Sequence, residues 1–216
     1  MHTDVDDLPR IFQANIDRLF QRLVAPGMNA LNTHAVLEHG GAGAMDEFLD
    51  RAAAQVDNYT ANEAAKSFTL TIAAVFERQL SVWVRLKRPL EKNFKVHELL
   101  KSAADIASID LNFEDLGNCL DEMILAANVV RHGEGPACAA LQMRAPDLWS
   151  NDPTDYVNLF SIPQLPSEQL RIRIQDLLRY VRAVIKFWGL SDSKPMAVID
   201  FPYFLPDPHG FGQGIS

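Results

Sequence analysis

Apolar residues recur at every third or fourth position along most of this chain, which is the period of an amphipathic α-helix. The pattern is most regular between Phe113 and His132, where we predict one helix with Asn112 as its cap. Its apolar stripe consists of Phe113, Leu116, Leu120, Met123, Ala127 and Val130. Gly133 to Pro136 follows directly and predicts the end of this helix at His132.

The same period predicts further helices on both sides of this segment. They are a first helix that Asp7 can cap and that Pro26-Gly27 ends, a helix from Ala44 to Asn58, a long helix from Thr60 to about Arg88, a short one from Val96 to Ala107, one from Pro136 to just before Pro146, and a last one that Ser167 caps and Gly189 ends. The sequence Thr60-Ala61-Asn62-Glu63 has the form of a capping box, so we predict a helix start there. Only the short segment Val198–Phe201 has the pattern of a strand.

This order of elements predicts an all-α protein folded as an antiparallel helix bundle. We expect a single domain over residues 1–216, with an extra helix at its N-terminus. Residues 189–216 are rich in proline and aromatic side chains, which predicts an extended tail that packs on the body or on a partner chain.

Composition narrows the function classes. The net charge of −8 argues against a broad basic surface for non-specific nucleic-acid binding, although a local basic patch is compatible with it. Two cysteines are too few for a disulfide framework or a cysteine zinc site, and we expect both to be buried, with no metal and no cofactor. No segment has the length and apolar composition of a membrane span, and the acidic N-terminus lacks the pattern of a secretory signal. We therefore expect a cytoplasmic protein with no membrane partner.

Candidate chemistry is concentrated at the end of the helix that closes with His132. Asn128 and His132 are one helical turn apart and share a face, with Arg131 beside them. Histidine can act as a general acid or base, and arginine can bind a phosphate. A simpler interpretation is that Arg131 and His132 only satisfy the last carbonyl groups of their helix.

A helical chain with this Asn-x-x-x-His pattern resembles the HEPN superfamily over about residues 44–188. The resemblance implies a helical bundle that is commonly dimeric. It also implies kinship with the toxin and phage-defence endoribonucleases, which cleave RNA without a metal at a site shared by two copies. The common family motif is Arg-Asn-x-x-x-His, and this chain has Ala127 where the arginine stands. Arg131 lies one turn later and could supply the positive charge.

The resemblance implies roles for four residues. His132 would act as general acid or base, Arg131 would bind the scissile phosphate, Asn128 would position both, and Glu77 on the long helix would support them. The alternative is a HEPN-like binding module without catalysis, for RNA, a nucleotide or a protein partner. A third possibility is an unrelated helical protein.

Overall fold

The computed structural model describes residues 5–38, 41–88, 94–149 and 165–194. Within these ranges every regular element is helical and there is no strand, so the predicted all-α class is confirmed. The candidate strand Val198–Phe201, most of the loop between residues 147 and 166, and residues 195–216 of the predicted tail lie outside the described residues.

The α-helices of the described ranges lie in the following order along the chain. They are α1 (Leu8–Leu19), α2 (Ala25–Asn29), α3 (Met45–Lys87), α4 (Val96–Ala107), α5 (Leu116–His132), α6 (Pro136–Arg144) and α7 (Ile174–Ser191). The predictions of α4 and α6 are confirmed, as is the end of α5 at His132. In the described ranges, no helix combines the length and the apolar composition needed to cross a membrane.

The prediction that Pro26-Gly27 ends the first helix was wrong. A π-helical turn, Phe20–Val24, follows α1, and α2 then carries the helix on to Asn29. Pro26 cannot donate a main-chain hydrogen bond, but it lies in the first turn of α2, where no such donor is needed. A Cβ atom on Gly27 would lie 3.1 Å from Cζ of Phe68, so glycine permits close packing here and does not end the helix.

The prediction of two helices between Ala44 and Arg88 was also wrong, because α3 is a single helix of 43 residues. The expected capping box lies in its interior. The amide of Asn62 donates to the main-chain oxygen of Leu170 at 3.1 Å and accepts from the main-chain nitrogen of Ile172 at 3.0 Å. The carboxylate of Glu63 accepts a hydrogen bond from Lys66 at 2.7 Å. Because both polar side chains bond elsewhere, neither one caps a new helix.

The start of α5 differs from the prediction by three residues. Phe113–Asp115 forms a 3-10 turn in which Glu114 has a φ of 46° and Asp115 a φ of 60°, so the α-helix begins at Leu116. The side chain of Asn112 donates to Asp110 and does not cap the helix.

The start of α7 differs as well. Ser167 lies in a turn and does not cap this helix, which begins at Ile174. The carboxylate of Asp176 accepts a hydrogen bond from the main-chain nitrogen of Arg173 at 2.9 Å, which satisfies a donor at the helix start. The helix continues to Ser191, so residues 189–191 are helical and do not belong to an extended tail.

The chain divides into two compact units, each described by itself. The first comprises residues 1–22, 74–121 and 178–216, and the second comprises residues 23–73 and 122–177. In the first unit Trp188 is fully buried, with edge-to-face contacts to four other rings. These rings belong to Phe12, Phe76, Trp83 and Phe187, with centroids 4.9 to 6.0 Å from that of Trp188. The indole nitrogen of Trp188 donates to Gln79 at 2.9 Å, so the polar atom of this ring is satisfied.

The two cysteines differ in their surroundings. Cys138 is buried, as predicted, and this burial, with the negative charge of Glu134, raises the pKa of its thiol. Cys119 is only half-buried, which is less than expected. Neither cysteine is in a disulfide.

Asn62→Ala should destabilise the protein by about 2 to 4 kcal/mol, because it leaves the main-chain groups of Leu170 and Ile172 buried without their partner. Urea unfolding followed by circular dichroism measures the loss. The control is Thr60→Ala, an exposed change on the same helix that should leave stability nearly unchanged. Equal stability of the two variants would contradict the role assigned to Asn62.

Candidate functional site

The predicted polar residues lie at the surface end of α5, in the second unit. Arg131 and His132 are exposed and Asn128 is half-buried. Gly133 has a φ of 72° and its main-chain nitrogen donates to the oxygen of Val129 at 2.8 Å, which closes the helix. Within the part of the chain that the structure describes, neither Arg131 nor His132 has a hydrogen bond or an ion pair from its side chain. Both are therefore accessible to a ligand.

Ala127 faces the interior of the second unit and is only 3% exposed. In the family motif this position holds the arginine. An arginine side chain here would begin in the packed core, one turn before the exposed Arg131. The positive charge at the end of α5 is therefore supplied by Arg131.

Glu77 lies in the middle of α3 and is half-buried. It belongs to the first unit, whereas Asn128, Arg131 and His132 belong to the second. Its predicted role of supporting these residues stays a prediction.

The corner between α5 and α6 is fixed by contacts within the second unit. The carboxylate of Glu134 accepts a hydrogen bond from the main-chain nitrogen of Ser167 at 2.6 Å. The indole of Trp149 donates to the oxygen of Pro166 at 2.7 Å. The first bond holds the turn around Ser167 against the corner that follows His132, and the second holds it against the segment after α6.

A cleft of about 580 Å³ opens in the same unit, and sequence reasoning did not predict it. Three segments line it: the end of α2 with the loop after it, one face of α3, and the residues that lead into α7. The lining residues are Met28, Asn29, Leu31, Thr33, His34, Ala35, Asn58, Ala61, Asn62, Arg171, Ile172, Arg173, Ile174 and Gln175. None of the described lining residues is an Asp or a Glu, which is notable in a chain with a net charge of −8.

Two asparagines on α3 fix two walls of this cleft. Asn58 accepts from the main-chain nitrogen of His34 and donates to the main-chain oxygen of the same residue, both at 2.8 Å. Asn62, one turn later, binds Leu170 and Ile172 in the same two-sided way. The ring of His34 also contacts the carboxylate of Asp57 at 3.0 Å. The loop before α3 and the segment before α7 are therefore both held on one helix.

A signal for this arrangement was present in the sequence. Asparagine is unfavourable in helix interiors because its side chain competes for main-chain groups, and here two asparagines occur one turn apart. We interpreted both as residues at helix ends. The sequence predicts Arg171 and Arg173 on the last helix, as solvated charges or as part of a local basic patch, whereas in the structure both precede α7.

Among the described residues, no group of three or more His, Cys, Asp or Glu side chains could hold a metal ion. No protein-family model, curated protein or solved structure matches this chain. Fold and sites therefore define a class only. This is an all-α protein whose second unit has exposed Arg and His side chains at the end of α5 and a cleft without acidic residues among its described lining.

Asn58→Ala should loosen the loop that contains His34. The loss of two hydrogen bonds raises local opening, so amide exchange over residues 31–38 should accelerate on the order of tenfold. Hydrogen–deuterium exchange with mass spectrometry measures this rate. Asn118→Ala is the matched control, because Asn118 donates to the nearby Asp115 and lies in the first unit, apart from the loop whose exchange is measured. Unchanged amide exchange in Asn58→Ala would show that the two hydrogen bonds between Asn58 and His34 do not fix this wall of the cleft.

Ala127→Arg should lower stability by about 1 to 3 kcal/mol, because it forces a long charged side chain into a packed position. Thermal and urea unfolding measure the loss. The control is Arg131→Ala, an exposed change that should cost less than about 0.5 kcal/mol. If Ala127→Arg keeps full stability and gains RNA cleavage in the presence of chelator, the buried position assigned to residue 127 is wrong.

Proposed function

We propose that this chain is a HEPN-like helical protein that binds RNA through the end of α5. The observation that carries the proposal is the exposure of Arg131 and His132, whose side chains the described fold does not use. Long polar side chains that are not needed for folding, and that lie together on one helix end, are suited to contact with a ligand.

The chemistry of these residues favours a phosphodiester ligand. A guanidinium can donate two parallel hydrogen bonds to one phosphate, and an imidazole can donate a third. The main chain at the end of a helix has partial negative charge and would not attract a phosphate. The contact would therefore depend on the side chains of Arg131, His132 and Asn128.

Binding without cleavage is the better-supported form of this function. Phosphodiester cleavage needs an acid–base group and a cation held in fixed positions. Ala127 is buried, and no partner among the described residues fixes the side chain of Arg131 or His132. One copy of the chain thus provides binding groups without a rigid catalytic arrangement.

The second candidate is a metal-independent endoribonuclease formed by two copies, related to toxin and phage-defence ribonucleases. The half-buried Asn128 and the exposed His132, one turn apart, favour it. In this form a second α5 end would complete the site, with His132 as acid or base and Arg131 on the phosphate. Asn128 would position them, and Glu77 would support them from α3.

Arg131→Gln should weaken the binding of a fluorescein-labelled single-stranded RNA roughly fivefold to tenfold, the effect of losing one charged hydrogen bond. Fluorescence anisotropy at low and at physiological salt measures the affinity. Arg85→Gln removes an equally exposed charge from α3 and serves as the control. Equal losses in both variants, or no binding by the wild type, would remove the proposal.

The same RNA, incubated in chelator, separates the two candidates. Binding without cleavage supports the binding module. Cleavage by the wild type that His132→Ala abolishes, while His97→Ala retains it, supports the ribonuclease. Sedimentation of the wild type then tests whether the active form contains two copies.

A further inference from the structure

Ser167 has a hydroxyl group that the described part of the fold does not use. The sequence predicts this residue as the cap of the last helix, but in the structure it lies in a turn well before α7. Its main-chain nitrogen donates to Glu134, and its main-chain oxygen accepts from Leu170. Its side chain is half-buried and forms no hydrogen bond with any described residue. The hydroxyl is therefore available to a ligand.

This hydroxyl lies beside the end of α5. Its oxygen would be 3.8 Å from a Cβ atom placed on Gly133, the residue that directly follows His132. Ser167 and the end of α5 belong to the same unit of the chain. The hydroxyl therefore adjoins the surface proposed above to bind RNA.

The turn that carries the hydroxyl is held in place by several contacts. Besides the bond from Ser167 to the corner after α5, the indole of Trp149 donates to the oxygen of Pro166 at 2.7 Å. Within the turn, the carboxylate of Glu168 accepts from the main-chain nitrogen of Leu165 at 3.0 Å. A polar group held in this way loses little conformational entropy when it binds, so one hydrogen bond from it can contribute measurably to affinity.

The charges around Ser167 favour a neutral group over a second phosphate. Glu134 and Glu168 bring two carboxylates to this turn, and both are exposed. A phosphate beside them would be repelled, whereas a hydroxyl can donate to an oxygen and accept from the hydroxyl of Ser167. Arg131 and His132, which precede the corner, provide the groups that suit the phosphate itself.

We propose that Ser167 binds the 2′-hydroxyl of the ribose next to the phosphate held by Arg131, so that the end of α5 selects RNA over DNA. The inference rests on the proposed RNA contact and adds to it a residue that determines specificity. The 2′-hydroxyl is the group by which a protein can distinguish the two nucleic acids at a given site. Each ribose of a strand is attached to a phosphate, so a site that binds the phosphate brings a 2′-hydroxyl close to it.

The test compares a fluorescein-labelled single-stranded RNA with the 2′-deoxy strand of the same bases, by fluorescence anisotropy on the full chain. We expect the RNA to bind about threefold to tenfold more tightly, which is the effect of one neutral hydrogen bond. Ser167→Ala should lower the RNA affinity by this factor and leave the affinity for the deoxy strand unchanged. The variant keeps the main-chain nitrogen that donates to Glu134, so the turn should be retained.

Two further variants serve as controls. Ser102→Ala changes another half-buried serine, on α4 in the first unit, whose side chain also forms no hydrogen bond with a described residue. It should change neither affinity. Arg131→Gln should weaken both strands, because both contain the phosphate.

The difference between the two strands separates binding of the 2′-hydroxyl from a structural role of Ser167. An equal loss for both strands in Ser167→Ala would overturn the proposal. Equal binding of both strands by the wild type, or an unchanged RNA affinity in Ser167→Ala, would also overturn it and leave the contact at Arg131 in place. If the wild type binds neither strand, the RNA contact and this inference fail together.

Discussion

Asn58 and Asn62 lie one turn apart on α3, and each uses both ends of its amide to bind the main chain of a non-helical segment. A loop that crosses a helix has main-chain donors and acceptors that must be satisfied when they are buried. A carboxamide can satisfy one of each at once, which a hydroxyl or a carboxylate does less well. These two residues thus account for the path of two chain segments and for the cleft between those segments.

In the first unit, the buried side-chain amide of Gln79 likewise pairs with polar groups of other segments. Gln79 accepts from the indole of Trp188 and donates to the main-chain oxygen of Phe12 at 3.4 Å. Five aromatic rings pack around this point. The indole nitrogen of Trp188 is paired inside this core, whereas the buried indole nitrogen of Trp83 has no hydrogen-bond partner among the described residues. In both units, a carboxamide on α3 links its own helix to a neighbour that is distant in sequence.

The period of the apolar residues correctly predicted those helix ends that are determined by residues next to them in the sequence. The bounds of α4 and the end of α5 at His132 are of this kind, since capping residues or glycine lie next to them. The prediction of a helix start at Thr60 to Glu63 was wrong, because the sequence alone does not distinguish a capping box from the same residues in a helix interior. The two cases can be told apart only when the partner of Asn62 is known. That partner lies more than one hundred residues away. The cleft could not be predicted for the same reason, because its walls come from three segments that are distant in sequence and no short motif contains them.

The net charge of the chain affects how strongly the end of α5 could bind RNA. A long RNA experiences the field of the whole chain, whose net charge of −8 repels it. An RNA held by one α5 end would make few phosphate contacts, so its affinity should depend only weakly on salt. Two copies on one strand would raise that affinity through effective concentration, without any new contact. Strong RNA binding by this acidic chain would therefore require two α5 ends on one strand.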